Sequence, residues 1–473
     1  MTAQREQFGS RIGFILAAAG SAVGIGNLVG FPVAAAKNGG AAFLLIYALF
    51  VGFICLPVML AELSVGRASQ KDPLGAYRSL SKSSPLWSIA GWLVVITPYM
   101  IAVFYAVITV WLFGYLFEIV MGNLDQLADP ATFGAFINSN KVFAYFAVVV
   151  LLVNTILIGG VKDGIEKAAK ILMPTLLVML LLLVVYVLTL DNAFAGVSFY
   201  LVPDFTKINA QVINSALSQA FFSLSLGMGI LITYGSYMNR KSDIASSAKF
   251  VACADTGVAF AAGLLILPAI FSFNPLIQTD ELSESSVSLI FTFLPKIFLT
   301  LQTDIGYLGA SFVAAFFFLL VFFAAITSLV SITEVPISSL LEKKGYTRRK
   351  ALTIIALSMM VLSIACILSF GRVDFLTSFL SYAGQSKSLF DVIIDVFYDT
   401  ILPLNGFLVC LFVIYRWKKT SFNAELEQGG DGFTGTFFGR YVNLALTTFI
   451  PVILLLVFIN TVALKYFGIS LIG

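Results

Sequence analysis

Asp255 is the residue whose position most strongly indicates chemistry in this chain. It is the single carboxylate in the apolar stretch 251–267. Burying an ionised carboxylate costs several kcal/mol unless it is paired or bound to an ion. Asp255 therefore predicts a functional site that contains a cation or a set of hydrogen-bond partners.

Two glycine-rich clusters interrupt otherwise apolar segments. Residues 18–27 contain three glycines with Ser21 and Asn27, and residues 223–229 contain two glycines and two serines. Glycine costs about 1 kcal/mol relative to alanine inside a helix, so both clusters favour a break. Within a membrane, non-helical backbone must be buried in protein or line a watery cavity. There its carbonyls can coordinate a cation, and the N-termini of half-helices attract an anionic group.

Close packing of helices through small residues explains any single glycine pair equally well. The two clusters, however, fall in predicted membrane spans at about 11–35 and 210–238, the first and sixth along the chain, which begin two halves of five spans each. Paired breaks at matching positions are typical of inverted-repeat transporters, so we favour a binding site.

The composition requires a membrane to position these residues. Of 473 residues, 59% are hydrophobic and 11% are charged, whereas a soluble domain carries about 25% charged residues. Histidine is absent, which excludes Ser-His-Asp hydrolysis, histidine-containing zinc sites and histidine proton relays. The sequence thus argues against an enzyme. The net charge of +3 gives no indication of nucleic-acid binding, and no obligate protein partner is evident.

Eleven segments are apolar and long enough to cross the bilayer, since a spanning helix needs about 20 residues. They are roughly 11–35, 40–66, 87–121, 142–160, 166–190, 210–238, 247–273, 305–341, 350–369, 376–416 and 441–469. Several exceed a simple span and must tilt, break or project beyond the bilayer.

The distribution of positive charge predicts the orientation. With a cytoplasmic N-terminus, 21 of the 28 Lys and Arg residues fall in inside segments and 6 in outside segments, while Lys387 lies within a predicted span. This asymmetry satisfies the positive-inside rule and places the C-terminus outside. The short loops and minimal termini favour a multi-pass protein of the bacterial inner (plasma) membrane.

The first cluster, Gly20–Asn27 followed by Phe31-Pro32 and Asn38-Gly39-Gly40, resembles a signature of the neurotransmitter:sodium symporter family. Residues 219–229 are similar to its second signature, and the resemblance, closest to bacterial carriers of leucine and other hydrophobic amino acids, runs from Arg5 to about Trp417. It implies an all-α integral membrane fold with helices 1 and 6 broken. Residues 1–473 would form one transporter domain, with inverted repeats at 11–190 and 210–416, an additional helix at 441–469 and no twelfth helix.

The resemblance also implies a function, namely sodium-coupled import of a small neutral amino acid by alternating access. Tyr105 would donate a hydrogen bond to the substrate carboxylate. Gly24 stands where relatives that carry monoamines have an aspartate, and the uncharged pocket suits an apolar or aromatic side chain. The pocket residues implied are Ser21, Ala22, Ile25, Gly26, Ile101, Tyr105, Phe222, Ser223, Ser225, Met228, Ser328 and Ile332.

Two sodium sites are implied in the same way, and sodium, a hard cation, requires oxygen ligands. The first would use the Ala22 carbonyl with the side chains of Asn27, Ser223 and Asp255, completed by the substrate carboxylate. The second would use the carbonyls of Gly20, Val23 and Ala324 with the hydroxyls of Thr327 and Ser328. Without the resemblance, Thr327 and Ser328 are more simply explained as hydroxyls that bond back to their own helix.

Chloride is not expected to be required. Tyr47, Gln219 and Ser223 resemble the family's chloride pocket, but chloride-dependent members have a neutral asparagine where this chain has Asp255, and Ala259 lies one turn further on. Our hypothesis is that Asp255 supplies the fixed negative charge.

Gates are expected at both mouths. By resemblance, Arg5 and Glu342 pair on the inside with support from Tyr237, and Glu62 supports the site from below. On the outside the pattern departs from the family, because Gly30 replaces the usual arginine. Its natural partner would be Asp395 or Asp391, and the register of 390–403 is ambiguous by one residue. Tyr105 and Phe222 could form an aromatic lid.

Other functions stay open at this point. A carrier of the same fold could move another amino-acid-like solute or couple to protons. A transport-inactive sensor could retain the binding site, although it has no need of the sodium ligands. A channel fits less well, because no span has a continuous polar stripe.

Overall fold

A computed structural model describes residues 5–273, 287, 289–430 and 432–471, which fold almost entirely as helices. In this part of the chain, nine helices are long and apolar enough to cross a membrane. They are Ala41–Ser69, Pro85–Val120, Lys141–Ile158, Val161–Leu188, Ile244–Phe273, Gln302–Lys344, Arg348–Leu368, Leu389–Arg416 and Phe449–Phe467.

Two further predicted spans each consist of two shorter helices, and counting the bent pair of the first as one span brings the number among the described residues to ten. The first span consists of Arg11–Ala22 and Gly26–Lys37, bent by 55°. The sixth consists of Ala210–Ser223 and Ile230–Ser236, separated by the non-helical residues 224–229. The breaks coincide with the two glycine clusters, as predicted.

Short helices connect and cap the spans. They are Pro73–Leu80, Leu124–Leu127, Pro130–Ile137, Ala193–Leu201, Phe205–Lys207, Leu294–Thr300, Asp374–Thr377, Lys419–Glu427, Phe433–Gly435 and Phe437–Thr447. Several spans also contain a wider π-helical turn, at Gly26–Gly30, Val51–Cys55, Val161–Glu166, Ile394–Thr400 and Phe412–Arg416, and another such turn, Leu289–Phe293, precedes Leu294–Thr300. Such turns are frequent at functional sites.

The prediction that the tenth span begins at residue 376 is wrong. Residues Leu380–Tyr382 and Gln385–Lys387 form an antiparallel hairpin, and the helix begins only at Leu389. Ala383 and Gly384 both have positive φ, as a two-residue hairpin turn requires. Ser388 then caps the helix in a reciprocal arrangement with Asp391. Lys387 therefore lies in the hairpin and not within a span.

The last predicted span, 441–469, is also subdivided. Phe437–Thr447 and Phe449–Phe467 meet at Thr448, whose backbone is not helical (φ −115°, ψ −87°). Only the second of these helices is long and apolar enough to cross a membrane.

Small residues allow the second half of the sixth span to lie directly against the second span. A Cβ on Gly66 would lie 2.0 Å from the Ile232 carbonyl oxygen, and one on Gly235 would lie 2.5 Å from the Leu63 carbonyl oxygen. At these two positions the glycines allow close packing of helices, which is the alternative explanation given above for glycine pairs.

The linker helix Lys419–Glu427 is tied to the second span by Arg67, which is completely buried. Its Nε lies 2.6 Å from Oε1 of Glu425, and its Nη1 donates to the carbonyls of Gln428 (3.0 Å) and Ser242. This one guanidinium therefore joins the second span, the linker helix and the connection between the sixth and seventh spans.

Candidate functional site

The break in the sixth span is supported by side chains from two other spans. Gly227 has φ +76° and donates its N–H to Oε1 of Glu62 over 2.7 Å, while its carbonyl accepts from Nδ2 of Asn405 over 2.9 Å. Asn405 also donates to Thr97 Oγ1. These bonds replace those that the interrupted helix cannot make, as backbone at membrane depth requires. Glu62 has the supporting position expected for it, whereas Asn405 was not anticipated.

A buried polar cluster surrounds Asp255. Its Oδ1 accepts from Nδ2 of Asn27 (2.7 Å), and its Oδ2 accepts from Ser223 Oγ (2.7 Å) and the Tyr47 hydroxyl (3.3 Å). Each of these four side chains is at most 3% exposed. The first, second, sixth and seventh spans thus meet at one carboxylate, which is stabilised by three hydrogen bonds.

This cluster contains three of the four residues expected at the first sodium site, and Ala22 lines the adjoining cavity. Two of the three chloride-pocket positions, Tyr47 and Ser223, donate to Asp255. The third, Gln219, donates instead to the Gly26 carbonyl over 3.0 Å.

A second cluster is centred on Ser328 in the eighth span. Its hydroxyl lies 3.4, 3.2 and 3.1 Å from the carbonyl oxygens of Gly20, Ser21 and Val23. These carbonyls lie at the C-terminal end of helix Arg11–Ala22 in the first span. Thr327 bonds back to Phe323 and to the Ala324 carbonyl (3.0 Å), as helix hydroxyls ordinarily do. Ser328 thus joins two of the residues expected at the second sodium site, Gly20 and Val23, to the eighth span. The other two, Ala324 and Thr327, lie beside Ser328 on the same helix.

The chemistry of these clusters suits a hard monovalent cation. Among the described residues, no group of three or more His, Cys, Asp or Glu side chains could hold a metal. The two clusters offer carbonyl, hydroxyl and amide oxygens with one carboxylate, the ligand types that hard cations prefer.

A cavity of about 60 Å³ lies between the clusters and the broken helices. Of the twelve residues expected to line a pocket, eleven line it, and the twelfth, Ile25, instead donates its N–H to the Tyr105 hydroxyl over 3.3 Å. The cavity is lined by Ser21, Ala22, Gly24, Gly26, Asn27, Ile101, Tyr105, Gln219, Phe222, Ser223, Ser225, Met228, Ser328, Ile332 and Tyr398. None of these side chains is charged.

Tyr398 is the lining residue that the sequence did not reveal. Its ring stacks on Phe222 with centroids 4.5 Å apart and planes 22° apart. Of the two aromatic residues proposed as a lid, Phe222 is therefore stacked on Tyr398, while Tyr105 bonds to Ile25. Tyr398 lies in the π-helical turn Ile394–Thr400, within the stretch whose register was ambiguous.

The expected inner gate residues are in contact. Nη1 of Arg5 lies 3.1 Å from Oε2 of Glu342, and its Nε donates to Ser236. The guanidinium carbon lies 4.8 Å from the centroid of the Tyr237 ring. The N-terminal segment is thereby attached to the ends of the sixth and eighth spans.

At the opposite mouth, the two candidate aspartates have different surroundings. Asp391 caps its own helix through Ser388. Asp395 is buried and lies 2.8 Å from Nζ of Lys465 in the last helix. Asp395 is therefore paired with a cation from the last helix and not with one from the first span, where Gly30 has no charged side chain.

The sequence and the fold of this chain are similar to those of known proteins. Residues 5–128 and 135–468 match the model of the Sodium:neurotransmitter symporter family. The chain is 33% identical to the sodium-dependent transporter YhdH of Bacillus subtilis (strain 168) over 98% of both chains. It is 28% identical to the human sodium- and chloride-dependent taurine transporter over 73% of this chain and 63% of that one. The crystal structure of MhsT in complex with L-phenylalanine superposes with a TM-score of 0.82, at 37% identity, over 96% of this chain and 99% of MhsT.

Proposed function

The chain belongs to the sodium:neurotransmitter symporter family, and from this premise we propose that it imports a neutral amino acid with an apolar or aromatic side chain. As a member of this family it is a multi-pass, sodium-dependent membrane transporter and not an enzyme. One observation carries the choice of substrate: the cavity between the broken helices has no charged side chain in its lining. Such a cavity favours a solute whose own charges are balanced.

The polar and the apolar lining residues recognise different parts of the substrate. Serine hydroxyls and the Tyr105 hydroxyl, together with non-helical backbone, provide partners for the ammonium and carboxylate groups of an amino acid. Ile101, Met228 and Ile332 provide an apolar wall for its side chain. The structural neighbour MhsT, crystallised with L-phenylalanine, supports the same substrate class.

Sodium couples to this substrate through shared ligands. Asn27 and Ser223 line the cavity and also bond to Asp255. In our proposal the substrate carboxylate completes the first sodium site, so sodium and substrate stabilise each other's binding. The second sodium site, around Ser328, connects the first and eighth spans, and its occupancy favours the arrangement in which they are joined.

Asp255 makes chloride unnecessary in this proposal. The carboxylate accepts hydrogen bonds from Tyr47 and Ser223, two of the positions that resemble the family's chloride pocket. With a neutral residue at this position, a bound anion would have to supply the negative charge. In this chain the carboxylate of Asp255 supplies it.

Alternating access follows from the two mouths. We assign residues 11–190 and 210–416 to two inverted repeats that move relative to each other, with residues 441–469 as an additional helix. Arg5 and Glu342 close the cytoplasmic mouth, with the N-terminus inside and the C-terminus outside. We assign Asp395 to the gate at the outer mouth.

The experiment that tests this function is uptake of radiolabelled amino acids into proteoliposomes. We expect accumulation of apolar and aromatic amino acids under an inward sodium gradient and none when potassium replaces sodium. Asp255→Ala should abolish it, and Asp204→Ala, an exposed position outside the spans, should not. Uptake driven by a proton gradient without sodium would replace symport with sodium by proton coupling. Sodium-dependent binding without flux would indicate a sensor.

A further inference from the structure

A lysine of the last helix binds two aspartates at once at the outer mouth. Nζ of Lys465 lies 2.8 Å from Oδ1 of Asp395 and 2.7 Å from Oδ2 of Asp399. The side chains of Asp395 and Asp399 are 6% and 20% exposed, so the ion pairs are partly shielded from water. Shielded pairs of this kind contribute more than surface pairs, and removing one partner leaves a desolvated charge.

The two aspartates flank Tyr398, which lines the cavity. Both belong to the π-helical turn Ile394–Thr400, which also carries Tyr398. Because both carboxylates contact the same ammonium group, they lie on the same side of this turn. The position of this turn is therefore coupled to the position of Tyr398 above Phe222.

Further bonds hold the same turn from two directions. The Tyr382 hydroxyl of the hairpin donates to Oδ2 of Asp395 over 2.7 Å. Burial raises the pKa of Tyr382, so this hydroxyl remains a donor at neutral pH. Tyr466, next to Lys465, donates to the Asp395 carbonyl over 3.3 Å and lies 3.1 Å from the Thr400 hydroxyl.

We propose that Lys465 is a positioning residue of the outer gate, which holds the Asp395–Asp399 turn so that Tyr398 closes the cavity. The last helix thus supplies the positive charge that Gly30 does not provide. This inference rests on the proposed transport function for its meaning, but the contacts that carry it are independent of which substrate is moved.

In this proposal Lys465 shifts the equilibrium between the closed and open arrangements of Tyr398 and Phe222. With the ion pairs formed, the closed arrangement of Tyr398 and Phe222 is favoured. Opening the outer mouth requires the turn to separate from the last helix, which breaks the ion pairs. Without the lysine, two carboxylates repel each other beside the lid, so the open arrangement becomes more populated.

Accessibility of the cavity tests the proposal without a substrate. A cysteine at Ser21 is a suitable reporter, because Ser21 lines the cavity, is 3% exposed, and has a hydroxyl without a hydrogen-bond partner among the described residues. Cys253, which is exposed, is first changed to alanine, and the other three cysteines are buried. Intact cells are then treated with a membrane-impermeant thiol reagent. Ser386→Cys, on the exposed hairpin, verifies in parallel which side the reagent reaches.

Four variants are compared in this background. Lys465→Met should raise the rate of labelling at Ser21→Cys on the order of tenfold, and Asp399→Asn should change it in the same direction by less. Lys465→Arg, which keeps the charge, should stay near the unmodified rate. Lys387→Met is the matched control, because it also removes a lysine from this mouth. The ammonium of Lys387 lies 6.0 Å from the centroid of the Tyr382 ring.

Kinetics provide the second measurement. Lys465→Met should raise the KM for uptake on the order of tenfold with a smaller change in kcat, because a cavity that stays open retains substrate less well. Labelling of Lys465→Met at the unmodified rate, or an equal rise with Lys387→Met, would overturn the proposal, as would equal effects of Lys465→Arg and Lys465→Met. If Lys465→Met is not recovered folded, Asp399→Asn against Lys465→Arg decides the question. Absence of uptake in every variant and in the chain that keeps Ser21, with the labelling pattern intact, would refute the transport function and leave the proposed role of Lys465 standing.

Discussion

The carboxamide of Asn27 in the first span donates directly to the carboxylate of Asp255 in the seventh span, over 2.7 Å. The same carboxamide donates to Ser223 over 2.8 Å and accepts from the Gly24 N–H over 3.1 Å. One side chain therefore joins the non-helical backbone of the first span to the sixth and seventh spans. Binding of a cation here would affect all three.

We expect Asp255→Asn to raise the sodium concentration for half-maximal uptake by about 10- to 100-fold. The variant keeps the shape but removes the charge, and hydrogen bonds to a charged group contribute about 1.5–3 kcal/mol. Uptake measured across a sodium titration checks this, with Asp204→Asn as the control at an exposed carboxylate. An unchanged sodium dependence would remove Asp255 from the sodium site.

Anion replacement provides a separate check on the same carboxylate. We expect uptake by the unmodified chain to be equal in chloride and gluconate, because Asp255 already supplies the negative charge. Uptake by Asp255→Asn should be lower in gluconate than in chloride. Loss of flux from the unmodified chain in gluconate would show that chloride is required.

Ser328→Ala should weaken sodium dependence, because its hydroxyl is the contact between the eighth span and three carbonyls of the first span. We expect the sodium concentration for half-maximal uptake to rise about tenfold, as loss of one buried polar partner costs about 1–3 kcal/mol. Thr333→Ala is the matched control, since its buried hydroxyl donates only within its own helix, to the Leu329 carbonyl over 2.7 Å. Equal effects of both changes would indicate a general loss of stability.

Sequence reasoning succeeded where a local pattern determines the geometry. The glycine clusters predict the helix breaks, and the helices are interrupted at those positions. The residues of the two polar clusters, in contrast, were implied by the family resemblance and not by spacing alone. Ser328 illustrates this, because without the resemblance its hydroxyl is more simply explained as one that bonds back to its own helix. The lone carboxylate Asp255 was informative because so few charges lie at this depth.

The outer mouth could not be read in the same way. The π-helical turn Ile394–Thr400 accommodates an extra residue, so helical spacing does not determine which side chains face the cavity. Tyr398 was missed for that reason. The family match extends to residue 468, but the motifs from which the resemblance was recognised end at about Trp417. In sequence, Lys465 is indistinguishable from an ordinary charge at a helix end. Its partners become apparent only in three dimensions.

Two neighbouring glycines in the first break should respond differently to alanine. A Cβ on Gly24 would lie 2.9 Å from both Ser328 Oγ and the Tyr105 hydroxyl, whereas one on Gly26 would meet nothing within 4 Å. We expect Gly24→Ala to reduce uptake about tenfold or more, because overpacking costs about 1–3 kcal/mol.

Gly26→Ala should keep uptake of small amino acids and reduce that of larger ones, because the added methyl group projects into open space beside the cavity. Competition of unlabelled alanine, leucine and phenylalanine against labelled substrate measures this shift. Identical selectivity in Gly26→Ala and the unmodified chain would show that this part of the cavity does not contact the substrate side chain.

Arg67→Ala should lower the thermal stability of the detergent-solubilised protein. The change leaves Glu425, whose side chain is 9% exposed, without its ion-pair partner at 2.6 Å. Breaking a buried pair on one side costs about 3–5 kcal/mol, whereas replacing both partners by apolar residues is often nearly neutral. We therefore expect a lower apparent Tm for Arg67→Ala and partial recovery in Arg67→Met with Glu425→Leu. Arg349→Ala, at an exposed position, serves as the control. A Tm unchanged by Arg67→Ala would mean that the linker helix Lys419–Glu427 is held by its buried apolar residues, Phe422 and Leu426, and not by the guanidinium.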